Sequence, residues 1–160
     1  MNTKSLLIGL NHILLMFGTT IYMGVLWSLR FFWYPSWETM NTANVQDHFI
    51  LPTSAATRFF TIVVPVMFLT NAILIWLEWR TKFRWHAIIS FLCITTATIV
   101  GWFLIIPVNK TIAAGVDESR LSGLLQEWMS LNDIRWVVIT IMWITLMIYL
   151  LLRPSLSDHR

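Results

Sequence analysis

Charge is scarce in this chain and cysteine nearly absent. Asp, Glu, Lys and Arg make up 12% of its 160 residues, against 57% hydrophobic residues, and the mean hydropathy is +0.68. That balance excludes an ordinary soluble domain. The single cysteine, Cys93, excludes an internal disulfide and leaves the redox compartment unread. The basic residues form no run, so a formal charge of +3 does not point to nucleic acid. Internal repeats and low-complexity segments are missing. So are HxxxH and paired ExxH motifs, and no metal site is expected.

What is present is long uncharged sequence. Four windows contain no Asp, Glu, Lys or Arg: Leu6–Trp27 (22 residues), Phe59–Leu77 (19), Ala87–Val108 (22) and Trp136–Leu152 (17). A hydrocarbon core of about 30 Å needs about 20 helical residues, so each window spans or nearly spans a bilayer. None alternates as a barrel strand would. The expectation is all-α: an integral membrane four-helix bundle forming a single transmembrane domain over residues 1–160. Its spans lie near 6–27, 59–77, 87–108 and 136–152. The first window follows Lys4 as a signal peptide would, but its length and the lack of an A-x-A site mark it as a retained helix.

With four spans, the long connections 28–58 and 109–135 share one face. The short connection "EWRTKFRWH" carries Arg80, Lys82 and Arg84, the densest basic signal beside any helix end. It places that loop, Lys4, Arg153 and Arg160 on the cytoplasmic side, as in a bacterial inner membrane. Trp76, Trp79 and Trp85 then mark the inner boundary, and Trp27, Trp33, Trp37, Trp128 and Trp136 the outer one. Trp102 and Trp143 fall deeper, where they pack between helices or line a cavity. In "YPSW", Pro35 is expected to push Tyr34 out of helical geometry and end the first helix. Leu121, Leu124, Leu125, Trp128, Leu131 and Arg135 recur at helical spacing after Asp117 or Ser119, either of which would cap them. A helix running unbroken from there through the fourth span would measure about 51 Å, so it either projects outward or breaks near Asn132–Asp133. The sequence favours a separate short amphipathic helix on the membrane surface.

Polar residues gather where the outer helix ends meet: Arg30, Tyr34 and Trp37 after the first span, Arg58 before the second, Asn109 after the third. Trp128, Asn132, Arg135 and Trp136 precede the fourth and lie along one helical face. Each has an ordinary explanation as a helix cap, a helix end or a snorkelling cation. Together they would cap an apolar pocket between facing helices. His48, in "QDHFILP", joins the same face and would serve as a general base; with Asp47 and Glu38 it is also the nearest approach to a carboxylate–histidine cluster. In the other half, His12 and His86 lie on different spans. They would be the axial ligands if the protein carried a b-type haem, although their depths differ by about 10 Å.

These residues resemble a known group. "YPSW", His48, Arg58, "VPVM", "IIPVNKTIAAG" and "LNDIRW" are similar to the corresponding segments of small four-helix bacterial membrane proteins related to fungal anthrone oxygenases. Members of that group commonly carry His where this chain has Asn109. The resemblance implies oxygenation of a lipophilic aromatic ketone without metal or flavin. It also implies a base (His48 or Tyr34), oxyanion donors (Arg135, Asn132, Asn109) and a binding wall of Trp37, Trp128, Trp136, Arg30 and Arg58. No cofactor is expected on that reading. The alternatives are a non-enzymatic subunit packed against a larger membrane complex, or a haem redox protein. Expected partners are the bilayer, a lipophilic aromatic or quinone-like molecule, and a self-oligomer or membrane complex.

Overall fold

The computed structural model describes residues 3–153; Arg160 and the side chain of Lys4 lie outside the described part. Four helices are long and apolar enough to cross a membrane: α1 (Leu6–Trp37), α2 (Gln46–Glu78), α3 (Arg84–Ala113) and α4 (Glu118–Leu152). No strand occurs among the described residues. Successive helices reverse direction. His12 of α1, Glu78 of α2 and Tyr149 of α4 meet at one end, whereas Arg30 of α1 pairs with Asp133 of α4 at the other. The protein is an integral membrane four-helix bundle.

The helices overrun the windows read from the sequence. Connections 28–58 and 109–135 do share one end, but most of each is helix, and only short turns remain between the rods. The reason lies in how proline is accommodated. A proline ring collides with the carbonyl four residues back and supplies no N–H to it, which normally ends or kinks a helix. Here Pro35, Pro52 and Pro107 each follow a π-helical segment: Leu29–Trp33, Gln46–Ile50 and Val100–Ile105. The colliding carbonyls, those of Phe31, His48 and Phe103, all fall within these wider turns. Bonds of five-residue span, Tyr34 N–H to Leu29 O, Leu51 N–H to Gln46 O and Ile106 N–H to Gly101 O, carry the helix through. Tyr34 therefore keeps helical angles (φ −55°, ψ −45°), and α1 continues to Trp37 rather than stopping before Pro35.

The separate surface helix expected before the fourth span is also absent. Glu118–Leu152 is one helix of 35 residues, about 52 Å long. Asp117 caps it, its carboxylate accepting from the Arg120 N–H at 3.0 Å. Asn132 and Asp133 cap nothing: no Pro or Gly interrupts this region, and the Asn132 amide donates to the Trp128 carbonyl of the preceding turn at 3.0 Å. Asn109 likewise does not end α3, which runs on to Ala113; the left-handed residue is Gly115 (φ +90°).

Two apolar cores stack along the bundle. Leu15, Tyr22, Met67, Leu74, Ile94, Ile139, Met142 and Leu146 build one, towards the Glu78 end. The other, towards the Arg135 end, is built by Trp37, Phe49, Val108, Ile112, Leu121, Leu125 and Trp128. Within it Trp37, Phe49 and Trp128 pack edge to face, each pair of ring centroids 5.2 Å apart. In the first core α1 and α2 come close because Gly18 has no side chain. A Cβ there would stand 2.8 Å from Met67 Cγ.

Candidate functional site

A cavity of about 750 Å³ lies where the two cores meet, walled by all four helices. Its cause is local. α2 carries Pro65 and α3 the π-helical Val100–Ile105, both on the cavity wall. Both are recognised sources of bending. α2 and α3 pack closely towards the Glu78 end, part at this level, and meet again where Gln46–Ile50 touches Ile106–Ala113. Thr61 and Pro65 on one side and Trp102 on the other border the gap and are exposed, Trp102 to 66%. In a bilayer this gap faces lipid.

The wall is mostly apolar, so its few polar groups are conspicuous. Arg135 donates from Nε (3.1 Å) and Nη2 (2.5 Å) to the Tyr22 hydroxyl and from Nη1 (2.7 Å) to Asn132 Oδ1. Among the described residues no carboxylate pairs with it. Asn132 is fully buried, its amide spent on Trp128 O and its oxygen on Arg135. Three further wall residues carry a side-chain polar atom that is buried and has no hydrogen-bond partner: Trp37 Nε1, Trp128 Nε1 and Asn109 Oδ1. The two indoles are only 4% and 3% exposed. Buried polar atoms are ordinarily satisfied, and leaving one unpaired costs about 1–3 kcal/mol. The Asn109 oxygen is an acceptor and the indoles are donors. Residues of the wall thus carry two donors and one acceptor without partners, and a guanidinium without counter-charge.

The residues read from the sequence divide accordingly. Asn109, Asn132, Arg135, Trp37 and Trp128 converge on the cavity. His48, Tyr34, Arg30, Arg58 and Trp136 are not among its lining residues. His48 sits exposed in the π-helical turn Gln46–Ile50, where Phe49 is the residue that turns inward. Among the described residues it joins no cluster of three or more His, Cys, Asp or Glu. Tyr34 donates to the Met129 carbonyl at 3.3 Å and packs within the second core. Arg30 braces α1 against α4, paired with Asp133 at 2.5 Å and stacked 4.9 Å from the Trp136 ring. Trp136 packs on Trp27 and Phe31. Arg58 borders a second, smaller cavity. Trp143 bridges α4 to α1 near the bundle surface, its indole donating to Thr20 Oγ1 at 3.2 Å.

Two features escaped the sequence reading. Tyr22 lies inside the first uncharged window, where its hydroxyl is the partner of Arg135. An ionisable side chain within a span is the signal that would have found it. At the opposite end Glu78, 1% exposed, accepts from Tyr149 Oη (2.7 Å), Thr81 Oγ1 (2.6 Å) and Arg153 Nη2 (2.9 Å). His12 Nε2 meets the same Tyr149 hydroxyl at 3.1 Å. His12 and His86 both abut the Tyr149 ring, at centroid distances of 5.3 and 6.2 Å. With the His12 nitrogen committed and Tyr149 against both imidazoles, these residues do not fit a bis-histidine haem. Their network instead ties α1, α2 and α4 together. Comparison with known protein families, with curated proteins and with solved structures gives no match for this chain.

Proposed function

We propose that the protein is a membrane-embedded oxygenase-like enzyme acting on a small lipophilic aromatic or quinone-like molecule that reaches the cavity from the bilayer. The observation that carries this is that residues with unpartnered polar atoms, Trp37 (Nε1), Trp128 (Nε1) and Asn109 (Oδ1), share with Arg135 the wall of a mostly apolar chamber open towards lipid. A flat molecule with oxygen substituents satisfies them, and the indole faces suit its ring. The resemblance to anthrone-oxygenase-related proteins supplies the reaction. A ring CH₂ next to the aromatic system loses a proton to a base, and the carbanion passes one electron to O₂. The carbon radical and superoxide join as a peroxide; after protonation, loss of water leaves a carbonyl.

The chain's part is to hold charge and move the proton. Arg135 stabilises the oxyanion that forms when the CH₂ is deprotonated, with the indole N–H groups as further donors. His48 and Tyr34 were the expected bases, yet neither borders the chamber. Tyr22 does, and its phenolate form replaces them as the proton acceptor in this proposal, becoming the neutral phenol. Its oxygen receives two N–H groups from Arg135, which would hold it while the proton is in transit. We place the protein in a bacterial inner membrane with both termini cytoplasmic, on the strength of Arg80, Lys82 and Arg84 in the short α2–α3 turn.

The test uses protein purified in mild detergent and anthrone as probe, following O₂ consumption and the absorbance of the quinone product. Turnover above that of empty micelles, lost in Arg135→Gln and Tyr22→Phe, is the expected result. Equal rates with and without protein would end the oxygenase reading, and a second titration with a lipophilic quinone, read by tryptophan quenching, would then show whether binding alone survives.

A further inference from the structure

A smaller cavity of about 290 Å³ adjoins the first on the side facing the gap between α2 and α3. It shares Thr53, Thr57, Ile106 and Asn109 with the main chamber, so the two are separated by single side chains. Its own border adds Arg58 from α2 and Lys110 from α3. Both cations are exposed, and among the described residues neither pairs with a carboxylate. The hydroxyls nearby cannot serve as donors: Thr53, Ser54 and Thr57 spend their protons on the carbonyls of Phe49, Leu51 and Thr53, at 2.7, 2.9 and 2.8 Å. Two like charges thus face one groove at the polar edge of a lateral opening, without any anion of the protein's own.

Placing two uncompensated cations on one groove near a low-dielectric region is unfavourable, and an anion held by both offsets the cost. We propose that this groove binds the phosphate of an acidic membrane phospholipid, with Arg58 and Lys110 holding the head group and an acyl chain lying in the gap towards the main chamber. A lipid fits better than a free anion because the groove is continuous with an apolar cavity that opens to the bilayer. Arg gives a forked pair of donors to phosphate and Lys a mobile point charge, the usual division of labour between them. The bound lipid would stand at the mouth of the chamber, so the chamber's own ligand would reach it past that acyl chain. Head-group binding at this rim does not require that the chamber catalyse anything, and failure of the oxygenase reading leaves it standing.

The experiment is thermal unfolding of the full chain in mild detergent with added phosphatidylglycerol, phosphatidylcholine or inorganic phosphate. Phosphatidylglycerol at about ten times its Kd should raise Tm by roughly 3–6 °C. The zwitterionic lipid and phosphate should leave it nearly unchanged. Arg58→Gln/Lys110→Gln should lose the rise, while Lys82→Gln/Arg84→Gln, which removes the same charge at the opposite end, should keep it. An equal rise with free phosphate would overturn the lipid assignment. No rise with the acidic lipid, or one that both double variants retain, would overturn the site itself.

Discussion

Arg135 and Tyr22, 113 residues apart in sequence, share two hydrogen bonds on the wall of a chamber buried in apolar sequence. The phenol oxygen is the acceptor for both Nε and Nη2, and a third bond, from Nη1 to Asn132, fixes the guanidinium plane. Tyr22→Phe removes one acceptor from a charged donor and should destabilise the fold by about 1.5–3 kcal/mol. Arg135→Gln should cost a similar amount, and the double variant less than the sum, because both lesions break the same contact. Denaturant unfolding of the four proteins in one detergent checks this; strict additivity would mean that the two side chains do not interact.

The indoles of Trp37 and Trp128 separate binding from stability. Phenylalanine keeps much of the edge-to-face packing on Phe49 but has no N–H. Since neither Nε1 has a protein partner, Trp37→Phe and Trp128→Phe should lose little on that account, with Tm falling by only a few degrees from the smaller ring. Affinity for an oxygen-bearing aromatic ligand should fall about 5- to 10-fold for each, the worth of one hydrogen bond. Parallel Tm and quenching titrations would decide it. Unchanged affinity in both variants would mean that no ligand oxygen sits there.

At the other end, Glu78 is the group whose removal matters most to the fold. Its carboxylate answers Arg153, Tyr149 and Thr81 while almost wholly buried. Glu78→Ala leaves the Arg153 guanidinium without its carboxylate and the Tyr149 phenol with His12 alone, and should cost about 3–5 kcal/mol. Glu78→Gln keeps an acceptor and should cost less. A Glu78→Ala protein as heat-stable as the parent would show that the network holds nothing together.

Gly18 tests helix packing alone. A Cβ there meets Met67, itself fully buried, at 2.8 Å. Gly18→Val should cost about 1–3 kcal/mol through overpacking, with Met67→Ala in the same chain recovering part of the loss. Unfolding of the single and paired variants is the measurement.

Much of this architecture is legible in the order of residues. Four stretches without charge give four spans, because the hydrocarbon layer penalises charge at a known thickness. The spacing of Trp128, Asn132 and Arg135 places them on one face, and that face does meet the chamber. What misled was proline. Pro35 read as a stop, but there, as at Pro52 and Pro107, a preceding turn of wider pitch moves the offending carbonyl away, and no residue pattern announces such a turn. For the same reason His48 and Tyr34 read as residues of an open connection near the pocket, whereas helical geometry fixes their directions and keeps both off the chamber wall. Tyr22 and the Glu78 network were hidden differently: their partners lie more than 70 residues away, and only the packed bundle brings them together.

The lateral gap between α2 and α3 changes what selectivity can be built from. In a pocket facing water, a greasy guest is driven in by the water it sheds. Here the guest leaves one oily surrounding for another, and hydrocarbon tails are about as apolar as leucine, so that drive largely cancels. Shape and a handful of directional contacts are then all that can tell one lipophilic molecule from its neighbours. Two idle indoles and an unneutralised guanidinium are the means this chain has for making that choice.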